Sequence, residues 1–127
     1  MNQEINNKFN KIMPETDDRV LCVEIIKPIS DEGYELNFLA KLDKMLALHG
    51  EIRIVIYYSD YKGWEPEAAL NDMNATLKYG KNVKKLALVN PPEREIFQRK
   101  IKQSLVKGEI QYFNKENLQG AIKWAKS

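Results

Sequence analysis

The chain has 127 residues, of which 43% are hydrophobic and 30% charged, a balance that is ordinary for one soluble globular domain with its own core. Its 20 basic and 18 acidic residues give a formal net charge of +2, with both signs mixed along the chain. A nucleic-acid-binding protein would be expected to concentrate basic residues in a stripe. No run approaches the ~18 apolar residues of a membrane span, and residues 1–18 contain no apolar core of a signal peptide. We therefore expect one cytoplasmic domain over residues 1–127, with no nucleic-acid partner.

A single cysteine and a single histidine restrict the chemistry that the chain can perform. Cys22 lies in a strand-like run, and the apolar context is more typical of a small buried hydrophobic residue than of a catalytic thiolate. His49 stands before Gly50 at a predicted helix end, where its charged form would suit the helix dipole. No nucleophile–base pair, cysteine-based metal cluster or glycine-rich nucleotide fingerprint is supported. We expect no catalytic residue, no metal ligand and no cofactor, and hence a protein that is not an enzyme.

Strands and helices alternate along most of the chain. Short runs rich in Val and Ile predict strands at 5–13, 19–27, 52–58, 83–89 and 109–113, the first of them at a sheet edge. Apolar residues at helical spacing predict helices at 30–49, 66–80, 90–105 and 114–125. Gly50 is placed to cap the first helix, Pro66 to open the second and Asn114 to cap the last.

Each predicted helix carries an apolar face. The faces are Leu36, Leu39, Leu42, Met45 and Leu46 in the first helix, Ala69, Leu70, Met73 and Leu77 in the second, Phe97, Ile101 and Leu105 in the third, and Leu118, Ala121, Ile122 and Ala125 in the fourth. The order β-β-α-β-α-β-α-β-α is the pattern of crossover units. It predicts a single α/β domain with a five-stranded, mixed but mostly parallel sheet and about four helices.

The segment EIRIVIYYSDYKGWEP, residues 51–66, places four aromatic residues within eight positions at the carboxyl end of the third predicted strand. In open α/β sheets this edge is where ligands usually bind. One interpretation is a binding loop that clamps an apolar ligand or partner, and the other is a loop that folds back to fill the core. The first gives a hypothetical ligand site between the sheet and the following helix, formed by Tyr58, Tyr61, Trp64, Met73 and Leu77.

Charged residues cluster in three places without forming a recognisable site. Asp60, Glu65, Glu67 and Asp72 are explained more simply by a helix dipole and solvation than by a metal or an acid–base pair. Two groups of basic residues are explained more simply as solvated helix and turn faces than as surfaces that attract an anionic membrane or an acidic partner. They are Lys78, Lys81, Lys84 and Lys85, and Arg94, Arg99, Lys100 and Lys102. Trp124 between Lys123 and Lys126 would suit an interfacial helix, but docking on the protein's own sheet is favoured.

Three stretches, in this order and spacing, carry a resemblance to a known family: IVIYYSDYKGWEPEAALNDMNATLKYG, VKKLALV and GEIQYFNKENLQGAIKWAKS. Over roughly residues 5–126 the chain resembles the SpoIIAA-like family of small bacterial proteins, related to STAS domains and to the Sec14-type lipid-binding fold. The resemblance implies a sheet of four or five strands with helices largely on one face. Related anti-anti-sigma factors are switched by phosphorylation of a serine at the start of the helix after the third strand. Here that place reads Gly63-Trp64-Glu65-Pro66 and has no hydroxyl group.

We therefore expect a non-enzymatic domain that binds a protein partner or a small apolar ligand through the loop after the third strand. The alternative is a carrier of lipid or another hydrophobic ligand with peripheral membrane association, which the Sec14-type resemblance would allow. A homodimer could form through the exposed first strand or through a helix stripe.

Overall fold

The computed structural model describes residues 10–17, 19–25, 39–59, 77–91, 95 and 98–127. These residues contain one sheet with the strand order β1-β2-β3-β4-β5. The strands are β1 (Asn10–Ile12), β2 (Leu21–Ile25), β3 (Ile52–Tyr58), β4 (Val83–Val89) and β5 (Glu109–Phe113). The α-helices are α1 (Leu39–His49), α2 (Arg99–Leu105) and α3 (Leu118–Lys126), and residues 77–79 are also helical.

The sheet is mainly parallel, which confirms the predicted α/β class. Strands β2 to β5 pair in parallel in the order of the chain, and the three-residue β1 adds an antiparallel edge beside β2. Crossovers that all step in one direction, with the usual right-handed connection, place their helices on the same face of a sheet. Accordingly α1 and the segments that precede β4 and β5 share one face, which we call the crossover face, and α3 returns across the other.

Both faces of the sheet are covered by apolar side chains. On the crossover face, Ile54 of β3 belongs to one cluster with Leu42 of α1 and Val106 after α2. On the opposite face, Val55 of β3 belongs to a second cluster with Ala121 of α3. Burial on both faces explains why the central strands read as continuous apolar runs instead of alternating ones.

Several predicted boundaries are confirmed. Strands β3, β4 and β5 begin and end at the predicted residues. Gly50 has a φ of +72° and its N–H donates to the Leu46 carbonyl at 2.8 Å, so it caps α1 as expected. Strands β1 and β2 have shorter described spans than predicted, and the predicted helical residues 30–38 and 66–76 lie outside the described residues.

The last helix starts later than predicted. Asn114 precedes a 3-10 turn, Lys115–Asn117, and α3 begins only at Leu118. The Asn117 N–H donates to the Asn114 carbonyl at 2.9 Å, while the Asn114 side chain makes no capping hydrogen bond. The buried face of α3 is nevertheless the predicted one, with Ala121, Ile122 and Ala125 buried. Docking of α3 on the sheet is also confirmed, since Trp124 packs on Phe113 with ring centroids 5.9 Å apart.

The apolar face predicted for the third helix is wrong at Ile101. Ile101 is 53% exposed, whereas the neighbouring Lys102 is 1% exposed. The reason is a buried ion pair with Glu95, which lets the lysine side chain face the core. Phe97, the first member of the predicted face, lies outside the described residues.

The predicted face of the second helix also fails at the position where it can be checked. Leu77 is 62% exposed, although it was expected to belong to an apolar stripe. The adjacent Tyr79 takes the core position instead, and its hydroxyl donates to the Asp43 Oδ1 on α1 at 2.6 Å. Ala69, Leu70 and Met73 lie outside the described residues.

No helix in the described part of the chain combines the length and the apolar composition that crossing a membrane needs.

Candidate functional site at the carboxyl edge of the sheet

The carboxyl edge of the parallel strands is held together by one asparagine. Asn90, directly after β4, has a φ of +57°, a conformation that asparagine adopts more readily than most residues. Its side-chain Nδ2 donates to the Tyr58 carbonyl at the end of β3 at 2.8 Å. Its backbone N–H donates to the Phe113 carbonyl at the end of β5 at 2.9 Å. The ends of three neighbouring strands are therefore fixed relative to one another.

A buried polar cluster lies just beneath this edge on the crossover face. The Tyr58 hydroxyl donates to the Glu95 Oε2 at 3.3 Å, and the Lys102 ammonium donates to the Glu95 Oε1 at 2.5 Å. All three side chains are buried. Removing two opposite charges from water costs several kcal/mol per ion before their attraction is counted. The cluster is therefore weak as a source of stability, and its position at the carboxyl edge makes it a candidate functional element.

One apolar side chain of the central strand, at the carboxyl half of the crossover face, is only partly buried. Ile54, Ile56 and Tyr58 alternate along β3, the central strand, and share this face. Ile54 is 5% exposed and Tyr58 is 2% exposed, yet Ile56 between them is only partly buried. In register with Ile56 lie Val23 on β2 and Leu88 on β4, and both are buried. Ile56 is thus the accessible member of an apolar row in the middle of the sheet.

The structure separates the two predicted site residues that it describes, Tyr58 and Leu77. Tyr58 is at the carboxyl edge but is buried, and its hydroxyl is engaged by Glu95. Leu77 is exposed and lies three residues before Gly80, in the segment that leads into the amino end of β4. Because the two ends of a parallel strand lie at opposite edges, Leu77 is not brought to Tyr58. Tyr61, Trp64 and Met73 lie outside the described residues, so the aromatic-loop hypothesis itself stays a prediction.

Glu95 and Lys102 were missed by sequence reasoning. Lys102 was assigned to a solvated basic surface, and Glu95 was not singled out at all. A signal was available, because residues seven apart lie on one face of a helix. Val106, four residues after Lys102, is a buried member of the crossover-face cluster and marks that face as the inner one.

Two titratable groups away from this cluster have shifted pKa values. Burial raises the pKa of the Cys22 thiol to about 11, so the thiolate is scarce at neutral pH and Cys22 behaves as the small buried residue that was predicted. For Asp17, burial acts to raise the pKa, but N–H groups of Arg19 and Val20 and the Lys126 ammonium hold it below its usual value. Among the described residues, no three His, Cys, Asp or Glu side chains are grouped as a metal site would require.

The fold and this edge define a small α/β domain with a mainly parallel sheet and a buried polar cluster at the carboxyl ends of its strands. The SpoIIAA-like family profile matches residues 20–126, which is most of the chain, and the chain belongs to the SpoIIAA-like family. The family prediction made from the sequence is thereby confirmed.

A solved structure shows the same fold. It is that of an uncharacterised protein with a SpoIIAA-like fold from Shewanella loihica PV-4, with 24% sequence identity and a TM-score of 0.64. The alignment covers 94% of this chain and 96% of the other. A search of curated protein sequences finds no match.

Proposed function

We propose that this protein acts by binding a small, mainly apolar ligand over Ile56, at the carboxyl half of the crossover face. The observation that carries the proposal is the partial exposure of Ile56 on the central strand, between the buried Ile54 and Tyr58. A residue in the middle of a covered sheet face is normally among the best buried. An accessible isoleucine there supports a recess between the sheet and the layer that covers it.

The chemistry of the proposed ligand follows from the side chains around Ile56. Val23 and Leu88 flank it in the neighbouring strands, so the floor of the recess is apolar. Tyr58, two residues further along the strand, adds a polar group on the same face. Ligand sites are concave and mainly apolar with a few polar groups that orient the ligand. A recess of this kind suits a small molecule better than the flat surface of a protein partner.

The polar cluster supports a binding role over a catalytic one. Both oxygens of Glu95 accept hydrogen bonds from the protein's own Tyr58 and Lys102. A carboxylate held in this way is poorly placed to exchange protons with a ligand, because it would first have to break an internal ion pair. In the proposed function, the cluster therefore holds the wall of the recess in place.

The proposal can be tested with N-phenyl-1-naphthylamine, an uncharged fluorescent probe of apolar sites. Ile56→Trp should fill the recess and exclude part of the probe from it. Losing apolar contact worth ~1.5 kcal/mol of binding free energy would weaken binding about tenfold or more. Leu48→Trp is the matched control, because it adds the same indole at an exposed position on α1, and it should leave the affinity unchanged.

A second variant, Ile56→Ala, keeps the proposal testable in case Ile56→Trp does not fold. Ile56→Ala enlarges the recess and should not weaken probe binding, so only the tryptophan variant is expected to lose affinity. A folded Ile56→Trp protein that binds the probe as the wild type does would refute the proposed site.

A further inference from the structure

A basic groove runs along the amino edge of the sheet, opposite the proposed apolar site. It consists of two adjoining hollows of about 370 and about 380 Å³ that share Glu51. We call these hollows together the amino-edge groove. The first is lined by Gly50, Glu51, Lys81, Asn82, Val83, Lys84, Lys107 and Gly108, and the second by Arg19, His49 and Glu51.

The lining of the amino-edge groove is strongly cationic. Four of its residues are basic, namely Arg19, Lys81, Lys84 and Lys107, and none of them forms an ion pair within the described residues. Among the described lining residues the one carboxylate, Glu51, is already engaged by the Arg53 guanidinium at 3.1 Å. Like charges repel when they are held together without a partner, so this arrangement favours an anionic occupant.

Lys84 is directed into the groove by a β-bulge. Ile52 pairs with Val83 and Arg53 pairs with Lys85, so Lys84 is an extra residue in β4 with no counterpart in β3. Lys84 is accordingly exposed between the buried Val83 and the partly buried Lys85. Bulges re-aim side chains and are frequent next to functional sites.

The backbone that carries the other lysines is fixed by tight packing. The Lys107 N–H donates to the Gly80 carbonyl and the Gly108 N–H donates to the Val83 carbonyl, both at 3.0 Å. A Cβ atom on Gly108 would overlap the Lys84 carbonyl, and one on Gly80 would overlap the Leu105 carbonyl. The segments bearing Lys81, Lys84 and Lys107 are therefore held close together before any ligand binds, which lowers the cost of binding.

We propose that the amino-edge groove binds a small polyanion, a molecule that carries a phosphate or pyrophosphate group. Lysine ammonium groups are effective point-charge partners of phosphate oxygens, and each hollow is of the size of a small-ligand cleft. The phosphate could belong to a soluble molecule or to a lipid headgroup, and both present the same chemistry to the lysines. This site is separate from the proposed apolar one, since it lies at the opposite edge of the sheet.

Calorimetric titration of the full chain with sodium pyrophosphate tests the proposal. Saturable one-site binding is expected, and Lys84→Gln/Lys107→Gln should weaken it about thirtyfold, from the usual contribution of two basic residues beside an anion. Lys100→Gln/Lys115→Gln is the matched control, because it removes the same charge from exposed positions elsewhere and should change the affinity less than twofold.

A parallel arm distinguishes the two sources of phosphate. Sedimentation with phosphatidylcholine vesicles, with and without phosphatidic acid, measures binding to a lipid headgroup. Pyrophosphate binding that depends on Lys84 and Lys107 supports a soluble ligand, and binding only to the phosphatidic acid vesicles, with the same dependence, supports a headgroup. Equal weakening by both lysine pairs, or saturable binding in neither arm, would overturn the proposal. N-phenyl-1-naphthylamine binding should be unchanged in either double variant, so this proposal and the proposed function fail separately.

Discussion

Lys102 of α2 is buried because Glu95, seven residues earlier in the chain, accepts a hydrogen bond from its ammonium. Tyr58 completes the group from the central strand. Buried charged side chains are found in proteins almost only where each is paired with an opposite charge. Loss of one member should therefore be far more harmful than loss of the pair, because the remaining member keeps its desolvation cost.

We expect Lys102→Met to lower the free energy of unfolding by about 3–5 kcal/mol, since it leaves the Glu95 carboxylate buried without its cation. Adding Glu95→Gln should recover most of that loss. Urea unfolding followed by circular dichroism measures both variants. If Lys102→Met alone were as stable as the wild type, the ion pair would not have the buried character described here.

Asp17 connects the segment before β2 to α3. We expect Asp17→Asn to destabilise the protein at neutral pH by less than about 1 kcal/mol, because the Asp17 side chain is 48% exposed and solvent screens its charge. The folded-state pKa lies below the ordinary 3.8, so the stabilisation is present above that value and is lost as the pH falls through the lowered pKa. Urea unfolding from neutral pH downwards should show wild type and variant converging in acid.

The control for Asp17 is Glu116→Gln, which removes an exposed carboxylate from the 3-10 turn before α3. It should leave the stability unchanged across the same pH range. A gap between Asp17→Asn and the wild type that stayed constant down to acid pH would contradict a role for the charge.

At the scale of elements, the end of α1 depends on a left-handed backbone residue. Gly50 has a φ of +72°, and a Cβ there would meet no atom within 4 Å. Any penalty for a side chain therefore comes from the backbone conformation alone. We expect Gly50→Ala to cost about 1 kcal/mol of unfolding free energy, and Gly50→Asn to cost less because asparagine tolerates this region. Thermal unfolding of the two variants makes the comparison, and an alanine variant as stable as the asparagine one would contradict the assigned cap.

The strands and helices also differ in how well they could be predicted from the sequence. Strands β3 to β5 were predicted with the observed bounds because their apolar runs are short and are bounded by turn residues. The inner face of α2 could not be predicted in the same way. Ile101 is apolar and exposed, while Lys102 is charged and buried. Which of the two adjacent residues faces the core was decided by the ion pair between Lys102 and Glu95, and apolar spacing does not contain that information.

The candidate site was predicted in part. The expectation that ligands bind at the carboxyl edge follows from the parallel order of the strands, and Tyr58 lies at that edge as predicted. The exposure of Ile56 could not be foreseen, because the sequence around it predicts a fully buried strand. The β-bulge that directs Lys84 into the amino-edge groove likewise depends on how β4 pairs with β3, so it could not be predicted from the sequence of β4.

At the scale of the whole molecule, the sheet separates two candidate sites of opposite character. Ile56 and the polar cluster mark an apolar site at the carboxyl half of the crossover face, and the lysines of the amino-edge groove mark a cationic one at the other edge. Strand β4 contributes residues to both sites, but the two sites share no side chain. A substitution at one site is therefore expected to leave binding at the other site unchanged.

The central claim is that an apolar ligand reaches Ile56. Methyl NMR of protein with labelled isoleucine δ1 methyl groups, titrated with N-phenyl-1-naphthylamine, tests it most directly. We predict that the Ile56 methyl signal moves and shows an intermolecular NOE to the probe, while the exposed Ile101 and the buried Ile122 signals stay in place. A response confined to Ile101, or no response at Ile56 when the probe is bound, would contradict the account.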